Sequence, residues 1–134
     1  MISAQDALQK LREGNARFTA GIAPQGERPH FKAIENQKPS AIILSCSDSR
    51  VPPEVIFDHG IGDLFIVRVA GNIVTPTQIG SVEFAAEKFG SRLVVVLGHT
   101  MCGAIRATLD ELANPTPPRT ENLHSIIDAI SPCL

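Results

Sequence analysis

A chain of 134 residues has room for one domain with one core, and its 43% apolar content suits a soluble globular protein. A net charge of −2, no Trp or Tyr, and no apolar run near the roughly 20 residues of a membrane span give no basis for nucleic acid or a membrane as partner. Three cysteines are an odd number, which argues against a disulfide framework; reduced thiols serving a metal fit a cytoplasmic protein better.

Residues 1–6 carry neither the basic nor the apolar region of a signal peptide. Ser3 is placed to N-cap a helix over residues 4–18, with Leu8, Leu11, Asn15 and Phe18 as a narrow stripe. Gly14 weakens this helix near its end, and Gly21 and Pro24 finish it. Residues 21–29 read as a loop, and residues 30–37 as a short helical turn stopped by Pro39. Residues 41–45, Ala-Ile-Ile-Leu-Ser, are a continuous apolar run of strand length, as expected of a strand buried on both faces. Pro52 and Pro53 open a short helix, Gly60 and Gly62 bracket a turn, and residues 64–69 form a second strand. Gly71 and Pro76 mark the next connection. Residues 77–89 are helical, with Ile79, Val82, Phe84, Ala86 and Phe89 as apolar positions and Gly90 as the stop. Residues 93–97 predict a third buried strand, residues 103–112 a helix, residues 114–120 a Pro-rich loop and residues 121–130 a last helix ended by Pro132. Strands alternating with helices predict an α/β fold: a mostly parallel central sheet flanked by helices, preceded by an N-terminal helical arm.

Two loops carry the chemistry. Cys46-Ser47-Asp48-Ser49-Arg50 follows the first strand and His99-Thr100-Met101-Cys102-Gly103 follows the third. In parallel α/β sheets, ligands sit at the carboxyl ends of strands, where both loops fall. Cys46, His99 and Cys102 offer two soft sulfurs and one imidazole, a set that favours zinc over magnesium or calcium and leaves a fourth position open. Asp48 lies close enough to Cys46 to reach the metal as a fourth ligand or to accept a hydrogen bond from metal-bound water. Arg50 can grip that carboxylate with both prongs and keep it ionised. The alternatives are plain packing cysteines, a surface ion pair at Asp48 and Arg50, a thiol phosphatase, which needs a wider Cys–Arg gap, and a Cys-His hydrolase with His99 as base to Cys46. The last leaves Cys102 idle, whereas a metal site uses all three residues. No dinucleotide fingerprint or Walker loop occurs. Cys133 reads as a bystander thiol, and His30, His59 and His124 as surface or loop residues.

These residues resemble the β-class carbonic anhydrases. The two loops look like that family's zinc loops, residues 11–18 are similar to its N-terminal helix signature, and residues 62–68 to its second strand. The resemblance implies that Cys46, His99 and Cys102 bind Zn2+ and that Asp48 and Arg50 form the catalytic dyad. It further implies that Gln37, Phe65, Phe84 and the backbone at Gly103 serve carbon dioxide or bicarbonate. Its organisation is a single domain over residues 1–134, an arm of residues 1–38 and a core of residues 39–134 without the family's usual C-terminal part. Its unit is a homodimer or a dimer of dimers, with the N-terminal helix across the neighbour and Gln37 serving the neighbour's site. Three positions depart from the family pattern: Val69 for a common Asn, Phe84 for a frequent Tyr, and Ile43 for the Trp of the allosterically regulated subgroup.

The implied activity is reversible hydration of carbon dioxide through zinc-bound hydroxide. Two thiolates donate more charge than imidazoles, so the resemblance implies an alkaline preference. Hydrolysis of carbonyl sulfide or carbon disulfide is the alternative within the family, and a zinc-stabilised inactive interaction protein is the alternative outside enzymes.

Overall fold

Residues 41–46 carry five apolar side chains in six, and no charge, so they are stable only where both faces are covered. In the structure, a computed structural model describing residues 2–22, 36–115 and 120–134, they form β1 (Ala41–Cys46), and all six are buried. β1 is the middle strand. It pairs in parallel with β2 (Leu64–Val69) on one side and β3 (Val94–Leu97) on the other, giving the order β2-β1-β3. The register sets Cys46 against Val69 and Ser45 against Leu97, so β1 and β3 end at nearly the same level. Around the sheet lie α1 (Ala4–Thr19), α2 (Pro53–Ile56), α3 (Pro76–Phe89), α4 (Gly103–Ala113) and α5 (Glu121–Ile130). The expected loop and turn fall partly outside the described residues, at 23–35, as does part of the Pro-rich loop, at 116–119.

The third strand departs from expectation. Its burial alternates: Val94 and Val96 are 47% and 64% exposed, while Val95 and Leu97 pack on the core. An apolar run alone cannot tell a middle strand from an edge strand. Among the described residues, β3 has a partner on one side only, and only one of its faces is covered.

The buried face of α1 also differs from the predicted stripe. Ser3 caps the helix, its hydroxyl accepting from the Asp6 amide at 3.1 Å. The face that packs is Ala7, Leu11 and Gly14, whereas Phe18 is 44% exposed. Gly14 does not end the helix. A Cβ there would lie 1.7 Å from the Phe57 carbonyl oxygen, so only glycine lets α1 rest on that backbone. Asn15 Nδ2 donates to the Ile56 carbonyl at 2.9 Å, and Arg17 Nε pairs with Asp58 at 2.6 Å. Within one chain, the face of α1 that carries Ala7, Leu11 and Gly14 is covered by its own residues, while Phe18 stays exposed. Leu11 thereby joins Ala41, Ile43, Phe57 and Leu64 in the core.

α3 begins after Thr75, whose amide donates to Gln78 Oε1 at 3.2 Å, and ends at Gly90, which takes a φ of 64°. Its only buried residue is Ala85. No helix among the described residues is long and apolar enough to cross a membrane.

Candidate metal centre

β1 delivers Cys46 as its last residue, and β3 stops two residues before His99. Because the two strands are neighbours in parallel register, Cys46 and the His99 turn emerge at the same end of the sheet. The turn then doubles back. Met101 takes a φ of 56°, a left-handed conformation uncommon for a side-chain-bearing residue, and Cys102 follows as the N-cap of α4. Potential ligand atoms of Cys46, His99 and Cys102 lie within 4.8 Å of one another.

The sulfurs of Cys46 and Cys102 stand 3.9 Å apart and are not disulfide-bonded. Two thiolates on one tetrahedral zinc, with bonds of about 2.3 Å, stand about 3.8 Å apart, so the spacing fits. His99 fits as well. Its Nδ1 lies 2.9 Å from the Thr100 carbonyl, which makes that nitrogen the protonated donor and leaves a lone pair on Nε2. Nε2 is buried and has no hydrogen-bond partner of normal geometry. A buried acceptor without a donor is costly, and a cation between it and the two sulfurs would satisfy it. The electrostatics agree. Burial pushes the Cys46 thiol up, but the neighbouring His99, the amides of Asp48 and Gly71, and Cys102 outweigh it and bring it down to about 7. The nearby Cys46 sulfur, opposed by burial, raises His99 above its ordinary value.

Asp48 lies outside this ligand set. Its carboxylate is gripped by Arg50, with Nε donating to Oδ1 at 2.9 Å and Nη2 to Oδ2 at 2.7 Å, and the Arg50 amide adds a bond of 3.0 Å. The guanidinium holds the Asp48 carboxyl well below the usual carboxylate range, and Asp48 in turn raises Arg50. Arg50 Nη2 also donates to the Met101 carbonyl at 3.0 Å, which ties the two loops together.

The other expected site residues are placed differently. Gly103 opens α4 beside the cluster and lines a cavity of about 430 Å³ with His99, Met101, Cys102, Ile105 and Leu109. Phe65 pairs in register with Ile42, four residues from the level of Cys46, or about 13 Å along the strand. It packs with Phe84 and Phe89 at ring separations of 6.3 and 5.9 Å, and Phe84 is 53% exposed. Gln37 lines a separate cavity of about 770 Å³ at the amino ends of the strands. Within one chain, these three are not brought to the metal cluster. His59 and His124 are half-buried, His30 lies outside the described residues, and Cys133 is exposed.

Two contributors escaped the sequence reading. Arg68 donates from Nε to the Cys46 carbonyl at 2.8 Å and from Nη2 to the Asp48 carbonyl at 2.5 Å. The Gly71 amide donates to Cys46 Sγ at 3.4 Å. The signal for Arg68 was present, a lone cation in the apolar strand Leu-Phe-Ile-Val-Arg-Val; nothing in sequence pointed to Gly71.

Known proteins resemble this chain. The family model described as carbonic anhydrase matches residues 41–134. The chain is 39% identical over 131 residues to the carbonic anhydrase of Mycolicibacterium smegmatis, covering 96% of this chain and 63% of that one. It is 44% identical over 115 residues to carbonic anhydrase 2 of Mycobacterium tuberculosis, covering 84% of this chain and 56% of that one. Its fold is similar to that of tetrameric β-carbonic anhydrases from Sordaria macrospora, with a TM-score of 0.65 at 25% identity over 95% of this chain and 64% of the other. The chain thus spans 56–63% of the length of the two mycobacterial relatives.

Proposed function

This chain belongs to the β-class carbonic anhydrase family, and we propose that it catalyses the reversible hydration of carbon dioxide to bicarbonate and a proton. The observation that carries the proposal is the convergence of Cys46, His99 and Cys102 beside an Asp48 already ion-paired to Arg50. Cys46, His99 and Cys102 would hold Zn2+. What zinc supplies when bound is acidification of water towards neutrality, and hence a hydroxide nucleophile.

The remaining work falls to the chain. Arg50 keeps Asp48 ionised and therefore acceptor-only, so Asp48 can take a proton-side hydrogen bond from the nucleophile and aim its lone pair outward. The cavity beside His99 is walled by Met101, Ile105 and Leu109, an apolar surface that suits an apolar substrate. The first turn of α4 leaves the Gly103 amide without an intrahelical acceptor, available to a bicarbonate oxygen.

Gln37, Phe65 and Phe84 lie away from this cluster in their own chain, and we assign them to the site of a second copy in a homodimer or dimer of dimers. The exposure of Phe84 and the tetrameric state of the Sordaria relatives support that reading. Two ligand thiols that must stay reduced support a cytoplasmic location.

Stopped-flow hydration of carbon dioxide by the zinc-loaded protein tests the function. Asp48→Asn should keep one zinc per chain and lose at least about 100-fold in kcat. Near-normal turnover in that variant would remove Asp48 from the chemistry. A wild-type protein with full zinc and no hydration would overturn the activity.

A further inference from the structure

The first metal loop is held from the neighbouring strand. Arg68 is the charged residue of β2, half-buried, and the register partner of Ser45. Beyond Cys46 the strand pairing ends, and the loop's carbonyls need other donors. Arg68 supplies them: its fork spans the carbonyl of a metal ligand, Cys46, and that of the ion-paired carboxylate residue, Asp48. Between those two, the Ser47 amide donates to the Val69 carbonyl at 3.2 Å. One turn on, the Gly71 amide reaches the Cys46 sulfur. Residues 68–71 therefore hold the carbonyl, the following amide and the sulfur around one metal ligand.

The geometry demands these residue types. A planar guanidinium presents two donors at fixed separation, and an ionised donor makes a stronger bond than a neutral one. A lysine ammonium is a point donor on a flexible stem and cannot bridge both carbonyls with the same rigidity. Gly71 has a φ of 68°, and a Cβ there would lie 2.7 Å from Ile130 Cδ1 and 3.2 Å from the Ala104 Cβ. The turn that carries the sulfur's donor is thus wedged under α4 and α5.

We infer that Arg68 is a positioning residue of the metal centre: its guanidinium fixes the first loop so that Cys46 Sγ faces His99 and Cys102 while Asp48 stays with Arg50. This rests on the reading that those three residues hold a metal. Groups outside the ligand set that orient ligands typically control metal affinity by about 10- to 100-fold.

The test compares wild type, Arg68→Lys and Arg68→Met. Zinc affinity is read by competition with a chromophoric chelator, ligand geometry by the visible spectrum of the cobalt-substituted protein, and folding by urea unfolding without metal. Arg68→Met should bind zinc about 10- to 100-fold more weakly and shift the cobalt bands, with Arg68→Lys between it and wild type. Gly14→Ala, destabilised far from the site, should keep the wild-type cobalt spectrum; a merely structural loss at Arg68 would leave the bands unshifted. An unchanged zinc affinity and spectrum in Arg68→Met overturns the inference. Absence of zinc from wild type overturns the metal-centre reading itself. Should Arg68→Met fail to fold, Arg68→Lys carries the comparison. In wild type, slow solvent exchange of the Arg68 Nε proton by NMR is expected, and fast exchange contradicts the clamp.

Discussion

The two ends of the sheet hold similar materials and use them differently. The amino end has the larger cavity, about 770 Å³, with Lys10, Lys38, Lys88 and Arg92 among its walls. Among the described residues, none of these four side chains makes an ion pair, whereas Arg17 and Asp58, which also line it, pair with each other at 2.6 Å. The carboxyl end has about 430 Å³. There, Arg50 is bonded to Asp48 and Met101, Arg68 to two carbonyls, and His99 to Thr100. Prior positioning of polar groups, more than the size of a hollow, marks where chemistry can be done without reorganisation. The difference follows from chain direction. Parallel strands send all their outgoing loops to one end, so side chains distant in sequence meet there.

Mutations at each end can break this contrast. The largest effect is expected from Cys102→Ala, which should lose stoichiometric zinc and hydration activity together; metal analysis showing one zinc per chain in the purified variant would refute the ligand assignment. Gly14→Ala should act through the fold. Its new methyl collides with the Phe57 carbonyl, and relief should cost about 1–3 kcal/mol in urea unfolding while the folded fraction keeps its zinc. A loss of metal at unchanged stability would link the two ends in a way the contacts do not support. The smallest effect belongs to Arg92→Ala, an exposed residue of the larger cavity, for which kcat/KM should stay within about twofold of wild type. A steep fall there would give the amino end a part in the reaction.

Much of the fold was legible because the strands are contiguous apolar runs and the helices are bounded by Ser3, Pro76 and Gly90, residues whose backbone preferences act locally. The candidate ligands were legible because thiol and imidazole are rare, chemically specific groups placed just after strands. What misled was burial. Val94 and Val96 read as core, but whether a strand is an edge depends on neighbours it does not encode alone. Gly14 read as a weak point of a helix, although its role is set by the Phe57 backbone, 43 residues away in the chain. Arg68 and Gly71 were missed for a similar reason, since their partners are main-chain atoms and a sulfur on another strand.

The amino-acid sequence by itself determined the ligand chemistry, the alternation of strands and helices, and the family to which the chain belongs, because side-chain type and local backbone preference are properties of single residues and short windows. Tertiary structure alone decided that the two sulfurs stand 3.9 Å apart, that Asp48 is paired with Arg50, and that Gln37, Phe65 and Phe84 lie away from the three candidate ligands within one chain. Those outcomes depend on strand order and register, which arise only when distant segments compete for the same partners.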